Sequence, residues 1–253
     1  MLERTFHTPL PLELEVGIPS GDIEVETTEG EESNITVDGD DRLLEEVEIR
    51  QDGNRITVAF RGKAKFGFSL SPLSLVFSND LRVRASLPHG AGVKVKTASA
   101  DTRLDGHFGP LGINSVSGDV RLRGEVVGAA NLKTVSGDAE LDRVDGDLAA
   151  HTVSGDLRIG PVKGSVDTKT VSGDVRVESV AAGDVRFTSV SGDIEIGIAQ
   201  GSALDVDAGS TSGDLSSEVP LASEPVPGEG DAGPTVVLRG RTVSGDVKVF
   251  RAS

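Results

Sequence analysis

The chain has no cysteine, no tryptophan and no tyrosine. Without cysteine there are no disulfides, and the redox compartment cannot be read from thiol usage. Without the two large amphipathic aromatics, and with only eight phenylalanines, the interior must be filled by Val, Leu, Ile and Ala. That supply suits a thin, regular core better than a round one. The same shortage removes the flat rings on which sugars stack. A basic stripe is also missing: the formal net charge is −16 over 253 residues. Nucleic-acid binding is therefore not expected, nor is broad attraction to anionic lipid.

Long apolar runs are absent as well. The most apolar stretch, SLSPLSLVFS at 69–78, is far too short to span a bilayer. The opening MLERTFHTPLPLELEV carries Glu3 and Arg4 and breaks at Pro9 and Pro11, unlike a signal peptide. The expectation is a cytoplasmic protein with no membrane insertion.

What is abundant is glycine, with 32 residues, and much of it is periodic. Ser-Gly-Asp places its glycine at 118, 137, 155, 173, 192, 213 and 245, at intervals of 19, 18, 18, 19, 21 and 32. Ser99-Ala100-Asp101 is a degenerate copy upstream, and Ser20-Gly21-Asp22 an early one. Between the main turns lie weaker ones, Val127-Gly128, Val144-Asp145-Gly146-Asp147, Val162-Lys163-Gly164-Ser165 and Gly183-Asp184. A unit of about 18 residues thus carries two turns and two short strands, and the residues between turns alternate, as in Val175 and Val177 against Asp174 and Arg176. Units this short bury their apolar face only by stacking.

The expected fold is all-β: a β-solenoid, like a parallel β-helix, of two-strand coils with Leu157, Val175 and Ile194 in one column. Residues 96–253 form the solenoid, with a proline-rich loop or disordered insertion at 218–234. Residues 1–95 form an irregular β cap continuous with it, with strands near 33–38, 45–51, 55–61 and 81–87. Segment 62–80 holds Phe66, Phe68 and Phe77, a possible partner contact. Strict alternation from Leu132 or Leu148 buries Thr134 and Thr152 and exposes Val135 and Val153. A corner or bulge is expected to return the valines inside, with the threonine hydroxyls bonding along the stack. The last strand, Val247 to Phe250, is expected to be an open edge guarded by Lys248 and Arg251.

The tandem [TS]-V-S-G-D-[VLI]-x-[VLI] units follow a strand-rich segment ending in RVRASLPHG at 82–90. Over about residues 5–253 they resemble the bacterial DUF4097 β-strand-repeat family, whose adhesin label was given by analogy. The resemblance implies a solenoid-like fold with no established enzymatic activity, and transfers no binding residues.

The repeated aspartates admit three readings. As a calcium-binding β-roll, Asp119, Asp138, Asp156, Asp174 and Asp193 would be ligands, but the Gly-Gly-x-Gly-x-Asp run that such a site needs does not occur. As an ion-pair ladder, Asp119, Asp156, Asp174, Asp184 and Asp246 face a cation two residues on, at Arg121, Arg158, Arg176, Arg186 and Lys248, while Asp138 with Glu140 and Asp193 with Glu195 break the rule and need the arginines of neighbouring coils. As turns, the Ser and Asp side chains bond local backbone and glycine supplies a positive φ. The last two are preferred, which makes Gly118 and Asp119, Gly137 and Asp138, Gly155 and Asp156, Gly173 and Asp174, Gly192 and Asp193, Gly213 and Asp214, and Gly245 and Asp246 structural corners. His7, His89, His107 and His151 have no metal spacing. Ser154, His151 and Asp156 crowd within six residues without a nucleophile elbow. The expected role is a non-catalytic scaffold without cofactor, whose partner is another protein or itself, including end-to-end assembly of a cytoskeletal kind.

Overall fold

The computed structural model describes residues 1–8, 10–61, 81–219 and 234–252. Phe66, Phe68 and Phe77, and nearly all of the 218–234 insertion, lie outside the described residues.

The described residues are built as two long sheets, of twelve and eleven strands. Each repeat contributes one strand to each. In the smaller sheet Ala130–Lys133, Leu148–His151, Val166–Lys169 and Gly183–Thr188 run parallel and pair in succession. In the larger, Ala139–Leu141, Leu157–Val162, Val175–Val180 and Ile194–Ile198 do the same. Leu157 pairs with Val175 and Val175 with Ile194, the column that the period requires. The alternation then does the packing. Val120, Leu122, Leu141, Ile159, Val177 and Ile196 point in from one sheet, and Leu132, Leu148, Ala150, Val166 and Val185 from the other, all at most 3% exposed. Among the described residues no helix is long and apolar enough to cross a membrane.

At the N-terminal end the antiparallel pieces are Leu2–His7 on Glu32–Asp38, Glu32–Asp38 on Arg82–Pro88, and Val47–Asp52 on Arg55–Phe60. A one-turn helix, Asp41–Leu44, joins two of them. The early motif copy joins these pieces to the repeats by parallel pairing. Glu13–Ile18 pairs in parallel with both Arg55–Phe60 and Gly92–Thr97, and Asp22–Thr28 with both Arg82–Pro88 and Asp101–Phe108.

At the far end Val247–Arg251 is not an open edge: it lies between Ile194–Ile198 and Leu215–Ser217 and pairs with both. Likewise Thr235–Thr242 lies between Gly183–Thr188 and Ala203–Ser210. The repeat at 235–251 therefore sits one layer in, and among the described residues the outermost strands at this end are Ala203–Ser210 and Leu215–Ser217. Burial explains the order. Val236, Leu238, Val247 and Val249 are fully buried, whereas in the outermost layer Leu215 is 46% exposed and Asp205 and Asp207 face solvent. Charges on an edge layer such as Asp205 and Asp207 are a device that discourages further strand pairing.

Candidate functional site: the Thr-Val-Ser-Gly-Asp edge

One narrow edge of the stack, where the chain passes from the smaller sheet to the larger, is made only of the repeated turn. Its geometry repeats layer by layer, and each residue has a separate task.

The threonine points inward and the valine outward, so the expected corner that would bury the valines does not form. Thr134, Thr152, Thr170 and Thr242 are at most 6% exposed, and Val116, Val135, Val153, Val171, Val190 and Val243 are 43–51% exposed. Alternation simply continues into the turn. What makes a buried hydroxyl acceptable is a bond inside the same turn, not along the stack: the Gly155 N–H donates to Thr152 Oγ1 at 3.0 Å, and Gly137, Gly173 and Gly245 do the same to Thr134, Thr170 and Thr242 at 3.2, 2.9 and 3.1 Å. Ser115, Ser189 and Ser210 replace threonine where only the hydroxyl is needed. A buried N–H thereby has its acceptor.

The serine is the residue that bonds along the stack. Ser154 donates its backbone N–H at 2.9 Å and its hydroxyl at 3.3 Å to the Val135 carbonyl of the layer before, and Ser172 repeats this on Val153.

The glycine is there for contact, not for dihedral freedom. Of the Ser-Gly-Asp glycines only Gly21 has a positive φ, at 119°. In the regular turns a Cβ at Gly155 would fall on the Gly137 carbonyl oxygen, and one at Gly173 on that of Gly155. Layers approach too closely for any side chain.

The aspartates form a continuous ladder of a kind the ion-pair reading did not foresee. The Asp138 N–H donates to Asp119 Oδ1 at 3.1 Å, Asp156 to Asp138 at 2.9 Å, Asp174 to Asp156 at 3.0 Å and Asp193 to Asp174 at 2.9 Å. Asp101 begins the series, and Asp246 and Asp214 end it, each at 2.8 Å from the oxygen it donates to. Each carboxylate thus caps the next layer's backbone. Of the expected pairs two residues apart, Arg158–Asp156 at 3.6 Å and Arg186–Asp184 at 3.2 Å are present. Arg121, Arg176 and Lys248 turn instead to Glu140, Glu195 and Glu218. They do so because the glutamates reach across layers to them, while the aspartates are held by backbone.

Two further columns border the valines. Two residues before them, on the outer face of the smaller sheet, stand Asn114, Lys133, His151, Lys169, Thr188 and Arg241. Three residues after them stands the aspartate ladder. The edge is therefore apolar along its crest and anionic on one side, and on the other it carries the cations Lys133, Lys169 and Arg241, of which Lys169 has an exposed pair with Asp167 at 3.6 Å and Arg241 one with Asp207 at 2.8 Å. Burial, with Lys169 and Lys133 close by, pulls the His151 pKa below the usual histidine value against the weaker pull of Asp167. Its Nε2 is buried without a hydrogen-bond partner.

The candidate triad is not assembled. Ser154 is bonded to Val135, Asp156 accepts from Asp174, and His151 bonds neither. His89 pairs with Thr27 at 2.8 Å and His107 with Glu125 at 3.0 Å, at the N-terminal end. Among the described residues no group of three or more His, Asp or Glu is placed to hold a metal ion. Two broad concavities, of about 540 and 960 Å3, open on the outer sheet faces near the N-terminal end. Charged side chains line both, Arg84, Arg103 and Glu24 in the first and Glu13, Arg55 and Lys94 in the second. The hydrogen bond from Lys94, with Arg55 adding to it, holds the Glu13 carboxyl below the usual range.

The family model Toastrack DUF4097 matches residues 12–250. No curated protein matches the chain. Among solved structures, a "putative adhesin" from Bacteroides fragilis superposes with a TM-score of 0.58 at 12% identity, over 98% of this chain and 96% of that one. A "putative lipid binding protein" from Parabacteroides distasonis gives 0.54 at 14% identity, over 100% and 96%. At such identities the likeness is one of fold.

Proposed function

The chain belongs to the Toastrack DUF4097 family, and from that premise we propose that it is a non-catalytic β-solenoid scaffold whose interaction surface is the Thr-Val-Ser-Gly-Asp edge. The observation that carries this reading is the unbroken column of six half-exposed valines beside side chains that are already engaged. Thr, Ser and Asp each hold backbone within or between layers, which leaves no nucleophile and base to act together. The same engagement speaks against the calcium-binding alternative, because the Oδ1 that a cation would take accepts an N–H. No cofactor is needed for this role.

An exposed apolar row on a soluble surface is what partners read. Held on a rigid stack, it needs little ordering on binding, which is how a scaffold gains affinity from modest area. The adhesin name of the B. fragilis structure fits such a role, whereas the charged concavities offer little to the lipid its P. distasonis counterpart is named for.

The test is retention on beads. Wild-type chain and the Val135→Glu/Val171→Glu variant are immobilised and exposed to bacterial wall, membrane and cytosolic fractions. The expected result is a component, which can be further copies of the chain, held by wild type and lost from the variant. Equal retention refutes the reading of the edge as an interaction surface.

A further inference from the structure

The order of charges across the edge says more than that it binds. A purely basic partner would meet Lys133, Lys169 and Arg241, and a purely acidic one would meet the aspartates. A surface that suits both sides must carry an apolar crest with anions on one flank and cations on the other, in mirrored order. This chain carries that surface itself.

We propose that the edge binds a second copy of the chain side by side, with both stacks running in the same direction. This rests on the reading of the edge given above and names its partner. A half-turn about an axis lying over the valine crest, parallel to the stack, brings valine onto valine. It also carries each copy's cationic column over the other's aspartates. No sliding is involved, so partners meet at equal height: Lys133 faces Asp138 of the second copy, while Lys169 and Arg241, whose exposed pairs with Asp167 and Asp207 are worth little in water, share themselves with Asp174 and Asp246. In the layers between, Asn114, His151 and Thr188 face Asp119, Asp156 and Asp193, so cations alternate with neutral or weakly basic groups and do not crowd. Copies running in opposite directions would set cation over cation and aspartate over aspartate. The two-fold contact is self-complementary, as closed dimers require, and like charges across an interface suppress the wrong pairing.

The scale of the contact sets its strength. Six layers at roughly 4.8 Å give a crest about 24 Å long, and four or five residues across it give a footprint on the order of 300 Å2 per copy. Stable complexes bury about 800 Å2 per partner. Pairing is therefore concentration-dependent, and salt weakens it by screening the flanks.

The lack of native cysteine makes the test direct. Val116→Cys, Val153→Cys and Val243→Cys place one thiol at the start, middle and end of the crest, all at exposed positions. Val127→Cys, 55% exposed in one of the intervening turns, is the control for random encounter. Each variant is treated at high micromolar concentration with a mild oxidant and, separately, with a short bis-maleimide. Covalent dimer is read on a denaturing gel. The expected result is that all three crest variants link to themselves at least fivefold more than the control. Adding Lys133→Glu/Lys169→Glu, or 0.5 M salt, should lower the yield severalfold. Self-linking by Val153→Cys alone, with Val116→Cys linking to Val243→Cys when mixed, overturns the proposal in favour of opposed copies. Linking no better than the control overturns self-pairing altogether. Bead retention that still distinguishes wild type from Val135→Glu/Val171→Glu would then leave the edge as a surface for a different partner.

Discussion

Exchanging the two residues that open one turn tests the architecture most sharply. Hydrophobic intuition holds that Thr152→Val improves a core position and that Val153 should not be exposed. The structure predicts the opposite. Thr152 Oγ1 is the acceptor for the buried Gly155 N–H at 3.0 Å. Valine has nearly the same shape but no acceptor, and leaving a buried N–H unmade costs about 1–3 kcal/mol. The extra methyl returns about 0.8 kcal/mol of burial. The balance is a loss of roughly 1 kcal/mol for Thr152→Val. Thr134 and Thr170 lie two layers apart, about 9.6 Å, far enough for their effects to add. The double variant Thr134→Val/Thr170→Val should then lose roughly 2 kcal/mol, a fall in Tm of about 4–8 °C for a chain of this length. Val153→Thr, at an exposed site, should stay within about 0.5 kcal/mol. The swap Thr152→Val/Val153→Thr should be no better than Thr152→Val alone. Urea unfolding followed by far-UV circular dichroism gives all of these values. A neutral or stabilising Thr152→Val together with a Val153→Thr loss above about 1 kcal/mol would refute the reasoning, because it would mean the valines are inside.

Three more outcomes follow from the same edge. Gly155→Ala places a Cβ on the Gly137 carbonyl oxygen and should cost at least about 1–3 kcal/mol as an overpacking change, read as a lower urea midpoint. Asp156→Asn keeps an oxygen for the Asp174 N–H and relieves repulsion of roughly 0.9 kcal/mol per neighbour in water, while it gives up the Arg158 pair at 3.6 Å. It should lie near neutral, whereas Asp156→Ala should cost about 1 kcal/mol; equal losses for both would remove the backbone-cap role. Burial, with Lys169 and Lys133 adding to it and Asp167 opposing, disfavours the charged form of His151. Because its folded pKa lies below the ordinary 6.5, stability is full above that pH and declines as pH falls from there through the lower folded value. His151→Gln should make the decline between pH 7 and 5 shallower, and an unchanged pH profile of unfolding would contradict it.

The layers themselves were legible because two periods agree. The spacing of glycines gives the repeat, and the alternation within Val175–Val177 or Leu157–Ile159 gives the face. The same alternation, carried one residue further, already put Thr152 inside and Val153 outside. Hydrophobicity argues against that placement, and the acceptor role of the hydroxyl shows only when the Gly155 N–H is located. The glycine was legible as essential but not why: a turn needing a positive φ and a contact with no room for Cβ look alike in sequence. The order of layers was not legible at all. Val247 and Val249 would stack on Ile194 and Ile196 or on Leu215 by the same local pattern, and only the poorer burial offered by 203–217 sends that segment to the outside. The electrostatic ladder was half legible, as charges two residues apart are visible while a carboxylate capping the next layer's N–H is not.

The inverted order at the far end has a bearing on how the chain is made. Among the described residues Ala203–Ser210 pairs only with Thr235–Thr242, and Leu215–Ser217 only with Val247–Arg251. A chain synthesised from its amino end thus produces the outermost layer before the layer it must rest on. During that interval Gly183–Thr188 and Ile194–Ile198 present a bare growing face, and segment 203–217 is close enough to settle there out of turn. Only when residues 235–251 arrive can the vacancy be filled in the native order, so that segment acts as a keystone, and a chain cut short near 234 is expected to close its stack with the wrong layer.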